Sequence, residues 1–224
     1  MTSHVVEWRR ALAEGVGTAL LLVAVVGSGI MGVNLAQGSV HLALLANAIA
    51  TGGALVALIV CFGHVSGAHF NPLVSVAMAW RRRLSWRDAS WYVAAQCAGG
   101  IAGVLAAHAM FELPLLQLSS TPRTGMAQWF SEALASFGLL TVIFGCRGEA
   151  ARYAPFVVGA WITGAYWFTA STSFANPAVT LARSLTDTFS GIQASDAPAF
   201  MVAQLAGAGL AVCLETVLRG SRDA

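Results

Sequence analysis

The sequence predicts an all-α integral membrane protein with six transmembrane helices and two re-entrant half-helices, arranged as an inverted repeat. Three observations carry this. Apolar residues make up 57% of the 224 residues and charged residues 10%, with a mean hydropathy of +0.71; a soluble domain carries about 25% charge and 45–50% apolar residues. The apolar residues fall into six runs of bilayer length, and two Asn-Pro dipeptides each open a further, shorter apolar segment. The same composition excludes a disordered chain and argues against a soluble enzyme. A net charge of +2 offers no electrostatic support for a nucleic-acid partner.

The six runs are 11–33, 40–62, 89–111, 127–146, 154–171 and 197–218. About 20 apolar residues in a helix cross the ~30 Å of hydrocarbon in a bilayer. Arg9 and Arg10 precede the first run as in a signal peptide, but its apolar stretch is too long and Glu14 interrupts it early. Gly and Ala are frequent within the runs, as in 99–103 and 207–209, which suits close helix packing in lipid. The four cysteines, Cys61, Cys97, Cys146 and Cys213, lie singly in apolar runs and read as small hydrophobes. All twelve basic residues are Arg. Six crossings put ten of them on the side of the termini and only Arg123 and Arg183 on the other, so both termini are expected to be cytoplasmic.

Two segments break the pattern. Residues 63–80 separate the second and third runs and contain Asn71-Pro72-Leu73; residues 171–183 separate the fifth and sixth and contain Asn176-Pro177-Ala178. Each is an irregular polar stretch, then Asn-Pro, then about ten mostly apolar residues. Asn is a good N-cap and Pro suits the first helical position, so each reads as a helix starting at its Pro. About ten residues give about 15 Å, half a bilayer. The two segments enter from opposite faces, and their N-termini would meet near the midplane. Irregular backbone at that depth is tolerated where it lines a water-filled cavity.

The chain also repeats. Glu14 and Glu132 sit early in runs one and four, and Gln96 and Gln204 sit in runs three and six; the offsets for Glu, Asn-Pro and Gln are 118, 105 and 108 residues. Repeats of about 1–120 and 121–224 with an odd number of crossings must be inverted, and broken helices at matching places in inverted halves point to a midplane solute path. Membrane-embedded carboxylates are costly and usually functional, so Glu14 and Glu132 are also candidate proton carriers of a coupled transporter. Gln96 and Gln204 read as helix–helix ties or loop supports. His41 and His108 read as interfacial. No third ligand accompanies His64 and His69, so neither a metal nor a cofactor is expected.

The paired SGAHFNPLVSVA and TSFANPAVTLAR, with a Glu in runs one and four, resemble the aquaporin or major intrinsic protein family over essentially the whole chain. The resemblance implies the aquaporin fold, a homotetramer with one pore per subunit, and a multi-pass protein of the inner or plasma membrane that passes small neutral solutes. It implies that Asn71 and Asn176 donate to passing solute from the pore wall. It also implies that Glu14 and Glu132 accept backbone N–H groups of the re-entrant loops, and that His64 and His69 brace backbone or line the cytoplasmic vestibule. Two facing helix N-termini would add roughly +0.5 charge each, which repels cations. Leu73 departs from the family's usual Ala and is expected to alter how the half-helices abut.

The family builds an outer constriction from four positions. Ungapped counting from the two Asn places them at Thr51, Gly164, Ser173 and Val179. Water-selective members resemble Phe, His, a small residue and Arg there, and glycerol channels keep the Arg. Here both the aromatic and the Arg are missing, which implies a wide filter. Arg183 lies one helical turn, ~6 Å, beyond Val179. It reads either as an outer-vestibule cation or as a snorkelling Arg paired with Asp187. The expected function is a passive channel for water, glycerol and urea. Asn-Pro-Leu with Val179 resembles a bacterial aquaglyceroporin-like branch associated with arsenic resistance, which implies arsenite or methylated arsenicals among its solutes. The alternatives are a water-selective aquaporin, a proton-coupled transporter using Glu14 and Glu132, and a membrane protein without a conducting pore.

Overall fold

Side-chain caps set where four of the helices begin. Ser39, Asn71, Ser85 and Asn176 accept the backbone N–H of Leu42, Leu73, Asp88 and Ala178 respectively, satisfying donors that a helix start leaves unpaired. The computed structural model describes residues 3–219, with side chains from Trp8 onward. Its regular elements among the described residues are helices: α1 (Ser3–Leu35), α2 (Val40–Ser66), α3 (Pro72–Trp80), α4 (Trp86–Met110), α5 (Met126–Gly145), α6 (Ala154–Phe168), α7 (Pro177–Arg183) and α8 (Ala197–Arg219). A 3₁₀ turn, Gly148–Tyr153, leads into α6. The architecture is six crossing helices plus two half-helices, α3 and α7, of nine and seven residues.

Five of the six expected crossings are long, apolar helices. The fifth run differs: α6 stops at Phe168, three residues before the expected end, and its 15 residues span only about 22 Å. The cause lies in α5. Ser131 Oγ accepts the Ala170 N–H at 3.0 Å, and Ser171 Oγ donates to Glu132 Oε1 at 2.6 Å, so the chain leaves the helix to meet α5.

Helix α1 packs against α4 and α2, α5 packs against α8 and α6, and α2 meets α6 across the middle. The half-helix α3 lies against α4 and α8, and α7 lies against α4, α8 and α1. The α1–α4 and α5–α8 pairs rest on glycine. A Cβ on Gly99 would stand 2.1 Å from the Gly15 carbonyl oxygen, and one on Gly207 would stand 2.0 Å from that of Ala133. Gly99 and Gly207 are also 108 residues apart, the same offset as Gln96 and Gln204. Small residues here let the backbones touch and gain the dispersion contact that replaces a hydrophobic drive in lipid.

Ionic contacts gather at one end of the bundle. Buried Glu215 on α8 pairs with Arg81 at 2.9 Å, Arg219 at 2.9 Å and Arg147. Arg123 and Arg183 lie at the other end, against Gly191 and Ser190. Arg222 and the two chain ends fall outside the described residues.

Gly207→Val is expected to lose about 3 kcal/mol or fail to fold, by forcing α5 and α8 apart. Gly209→Ala, whose Cβ meets nothing within 4 Å, is expected to stay within about 0.5 kcal/mol of wild type. Thermal unfolding in detergent, followed by tryptophan fluorescence, checks both.

Candidate functional site

The two chains that re-enter the bundle are held by two buried carboxylates. Glu14 accepts four hydrogen bonds: from Ser66 Oγ (2.6 Å), the His69 N–H (2.9 Å), the Phe70 N–H (2.6 Å) and Gln96 Nε2 (2.8 Å). Glu132 accepts the matching four, from Ser171 Oγ (2.6 Å), the Phe174 N–H (2.8 Å), the Ala175 N–H (2.9 Å) and Gln204 Nε2 (2.6 Å). Each Gln also donates to a hydroxyl on a half-helix, Gln96 to Ser75 at 3.0 Å and Gln204 to Thr180 at 2.9 Å. In all eight bonds the carboxylate oxygen is the acceptor.

These clamps hold a backbone that would otherwise relax. Ala68 and Phe70, and Ser173 and Ala175, all have φ between 47° and 50°. Each such L-residue in the left-handed region costs roughly 1 kcal/mol. Because the peptide unit is planar, an N–H aimed at the carboxylate turns the carbonyl of the same unit the other way. That other side is a cavity of about 160 Å³, lined by residues 67–71 and 173–176.

At the centre the two half-helices meet N-terminus to N-terminus. Asn71 Nδ2 donates to the Ala175 carbonyl and Asn176 Nδ2 donates to the Phe70 carbonyl, both at 2.8 Å. The side-chain oxygens cap their own helices: Asn71 accepts from Leu73, and Asn176 accepts from Ala178 and Val179. A primary amide has two N–H donors, so each Asn keeps one beyond its cross-link, and both residues line the cavity. The opposite wall is apolar: Leu21, Val25, Leu55 and Ile59 from α1 and α2, and Leu139, Ile143, Val158 and Ile162 from α5 and α6.

Pro72 and Pro177 are the first residues of α3 and α7. Leu73 lies outside the cavity, packed on Leu140, Phe144 and Ala211, so its extra bulk is taken up between α3, α5 and α8. Ala178 is fully buried against Gly100 of α4. His69 lines the cavity with Nδ1 3.0 Å from Ser75 Oγ, while His64 is exposed at the end of α2. Glu14 and Glu132 lie behind the loops rather than on the cavity wall.

Of the four expected constriction positions, Thr51, Ser173 and Val179 line the cavity. Gly164 does not: its Cβ direction meets the Phe168 ring at 3.4 Å. Tyr166 stands in the wall instead, with its hydroxyl 3.2 Å from Thr51 Oγ1. Two residues along a helix rotate the side chain by about 200°, onto the opposite face, so ungapped counting reached the wrong side of α6. Arg183 is buried and lines the same cavity, with its guanidinium over the Phe174 ring and Nε donating to the Ser190 carbonyl. It does not pair with Asp187, which accepts from Ser120 N–H and Oγ at 2.9 and 2.8 Å. Those two bonds, the backbone one foremost, hold the exposed Asp187 carboxyl below the usual carboxylate range.

Sequence reasoning missed Ser66 and Ser171, although both stand five residues before an Asn-Pro. His108, read as interfacial, is buried between the Leu115 carbonyl (2.9 Å) and Thr186 Oγ1 (2.7 Å), where it ties the 112–126 connection to the segment after α7. His41 is exposed.

The family model described as major intrinsic protein matches residues 1–165. The chain is 56% identical over 207 residues to aquaglyceroporin AqpS of Rhizobium meliloti (strain 1021), covering 92% of this chain and 88% of that one. The chain belongs to the major intrinsic protein family. Aquaporin NIP6-1 of Arabidopsis thaliana is 32% identical over 137 residues, 61% of this chain and 44% of that protein. Among solved structures, the aquaglyceroporin from Plasmodium falciparum superposes with a TM-score of 0.77 at 19% identity, over 95% of this chain and 97% of that one, so the fold is shared.

Glu132→Gln puts an amide NH₂ or a lone acceptor where two oxygens now take four donors. It is expected to cost about 3 kcal/mol of stability and to reduce osmotic water flux in proteoliposomes to roughly a tenth. A carrier carboxylate would instead leave the fold intact and abolish uptake driven by a pH gradient.

Proposed function

We propose that this chain is a passive transmembrane channel for small uncharged solutes: water, glycerol and urea, and beyond them arsenite and methylated arsenicals. The single observation that carries the reading is the tip-to-tip meeting of α3 and α7 on the wall of one cavity, where Asn71 donates to the Ala175 carbonyl and Asn176 to the Phe70 carbonyl, both at 2.8 Å. Two half-helices pointing their N-termini at one place set positive potential there, against cations. The spare amide donors orient a solute oxygen and interrupt a chain of hydrogen-bonded waters. The apolar wall opposite leaves the solute no competing partner, as in a conduit that must let go of what it binds.

In this reading the chain is two inverted repeats, about 1–120 and 121–224, forming one channel domain, with Asn71-Pro72-Leu73 and Asn176-Pro177-Ala178 at its centre. Thr51, Tyr166, Ser173 and Val179 form the outer constriction, Tyr166 taking the place first given to Gly164. Valine at 179 offers neither charge nor donor, which leaves room for solutes larger than water. The relative named an aquaglyceroporin supports the same solute class. Glu14, Glu132, Gln96, Gln204 and His69 hold the loops. The protein works as a homotetramer in the inner or plasma membrane, and the arginine-rich end around Glu215 faces the cytoplasm with both termini.

Proteoliposome swelling tests this. Glycerol and arsenite fluxes well above those of empty vesicles are expected, and fluxes equal to the empty control would remove the solute class. Val179→Arg is expected to lower glycerol flux roughly tenfold and water flux only about twofold, because a guanidinium at that position narrows the path. Equal losses would place the constriction elsewhere.

A further inference from the structure

The two ends of the cavity are built from matching parts. An offset of 105 residues relates Asn71 to Asn176, Val74 to Val179, and Met78 to Arg183, and all six line the cavity. The first two pairs are identical residues. The third sets a neutral thioether at one end against a guanidinium at the other, and that difference has a physical cost.

Arg183 is only 2% exposed. Its guanidinium carbon lies 3.4 Å from the centroid of Phe174, and its Nε donates to the Ser190 carbonyl. Its Nη1 has no hydrogen-bond partner, and among the described residues Arg183 forms no ion pair. A second cation, Arg123, stands 5.1 Å from the same ring and adds repulsion rather than relief. Ser173, another lining residue, has an Oγ that also lacks a partner. A buried charge outside any ion pair, and two unfilled polar groups on residues that line one cavity, are expensive in a membrane protein and persist where function uses them.

We infer that Arg183 is the specificity-determining residue at the outer end of the conduit, where its unpaired charge bars cations and its Nη1, with Ser173 Oγ, binds the oxygens of hydroxylated neutral solutes. This rests on the channel reading above. Position 179 can do neither job. Arg183 does both from one turn further out. The anchor at Nε and the Phe174 ring fix the guanidinium, so Nη1 is held in place rather than swinging with the solute.

The test uses the full chain in proteoliposomes, reading water flux, glycerol flux and proton leak under an imposed potential. Arg183→Gln is expected to raise proton leak roughly tenfold and lower the glycerol-to-water flux ratio about threefold. Arg183→Lys keeps the charge but loses the forked donor, so proton exclusion should hold while the glycerol-to-water ratio still falls. Ser173→Ala should lower that ratio about twofold with proton leak as in wild type. Wild-type proton leak in Arg183→Gln, or equal leak in the Gln and Lys variants, overturns the inference. Should Arg183→Gln pass no water and so not fold, Ser173→Ala decides, and an unchanged glycerol-to-water ratio there overturns it. A wild-type channel that passes no glycerol counts against the proposed solute class instead, and the proton readout then judges Arg183 alone.

Discussion

A carboxylate deep in a membrane protein has to be surrounded by donors, and here the donors are the backbone N–H groups of the two re-entrant chains. Glu14 and Glu132 each gather two of them, plus a Ser hydroxyl and a Gln amide. The dependence runs both ways. The carboxylates need the loops for solvation, and the loops need the carboxylates to hold left-handed residues that would otherwise leave that conformation. The loop geometry follows from this exchange: N–H groups turned back into the protein, carbonyls of the same peptide units turned the other way, and the two Asn caps brought within hydrogen-bond distance of each other's loop.

The helix pairs that carry the carboxylates must come close for the clamp to reach. Gly99 and Gly207 allow α4 onto α1 and α8 onto α5, and each lies three residues beyond the Gln that completes a clamp. Packing and polar satisfaction are thus one arrangement: separate the helices, and Gln96 or Gln204 no longer bridges carboxylate and half-helix. The same pairing also ends α6 early, since Ser131 and Glu132 draw residues 170–175 out of helical geometry.

The scaffold is nearly two-fold, but the chemistry along the cavity is not. The apolar wall repeats between halves, with Leu21 and Val25 answered by Leu139 and Ile143 at the 118-residue offset of the two Glu. The end of the cavity that holds Arg183 adds the Thr51–Tyr166 hydrogen bond, the unfilled Ser173 hydroxyl and the Arg183 guanidinium. The frame repeats between the halves; the polar side chains at one end of the cavity do not.

Much of this was legible in the residues. Composition and run length determine a membrane-spanning helical protein, because unbroken apolar runs of about 20 residues fit helices, which satisfy their backbone within the segment. Asn-Pro before a short apolar segment determines a capped half-helix, because cap and first-turn preferences are local. The offsets of Glu, Asn and Gln expose the repeat, and the matching serines at 66 and 171 were there to be read in the same register. What only the tertiary structure decided is which side chains face the cavity. Tyr166 rather than Gly164, Leu73 turned away from the junction, Arg183 stacked on Phe174, and His108 buried in a loop contact all depend on helix rotation and on where α6 ends. Those are set by contacts between residues distant in the chain, and an error of two positions along a helix turns a side chain to the opposite face.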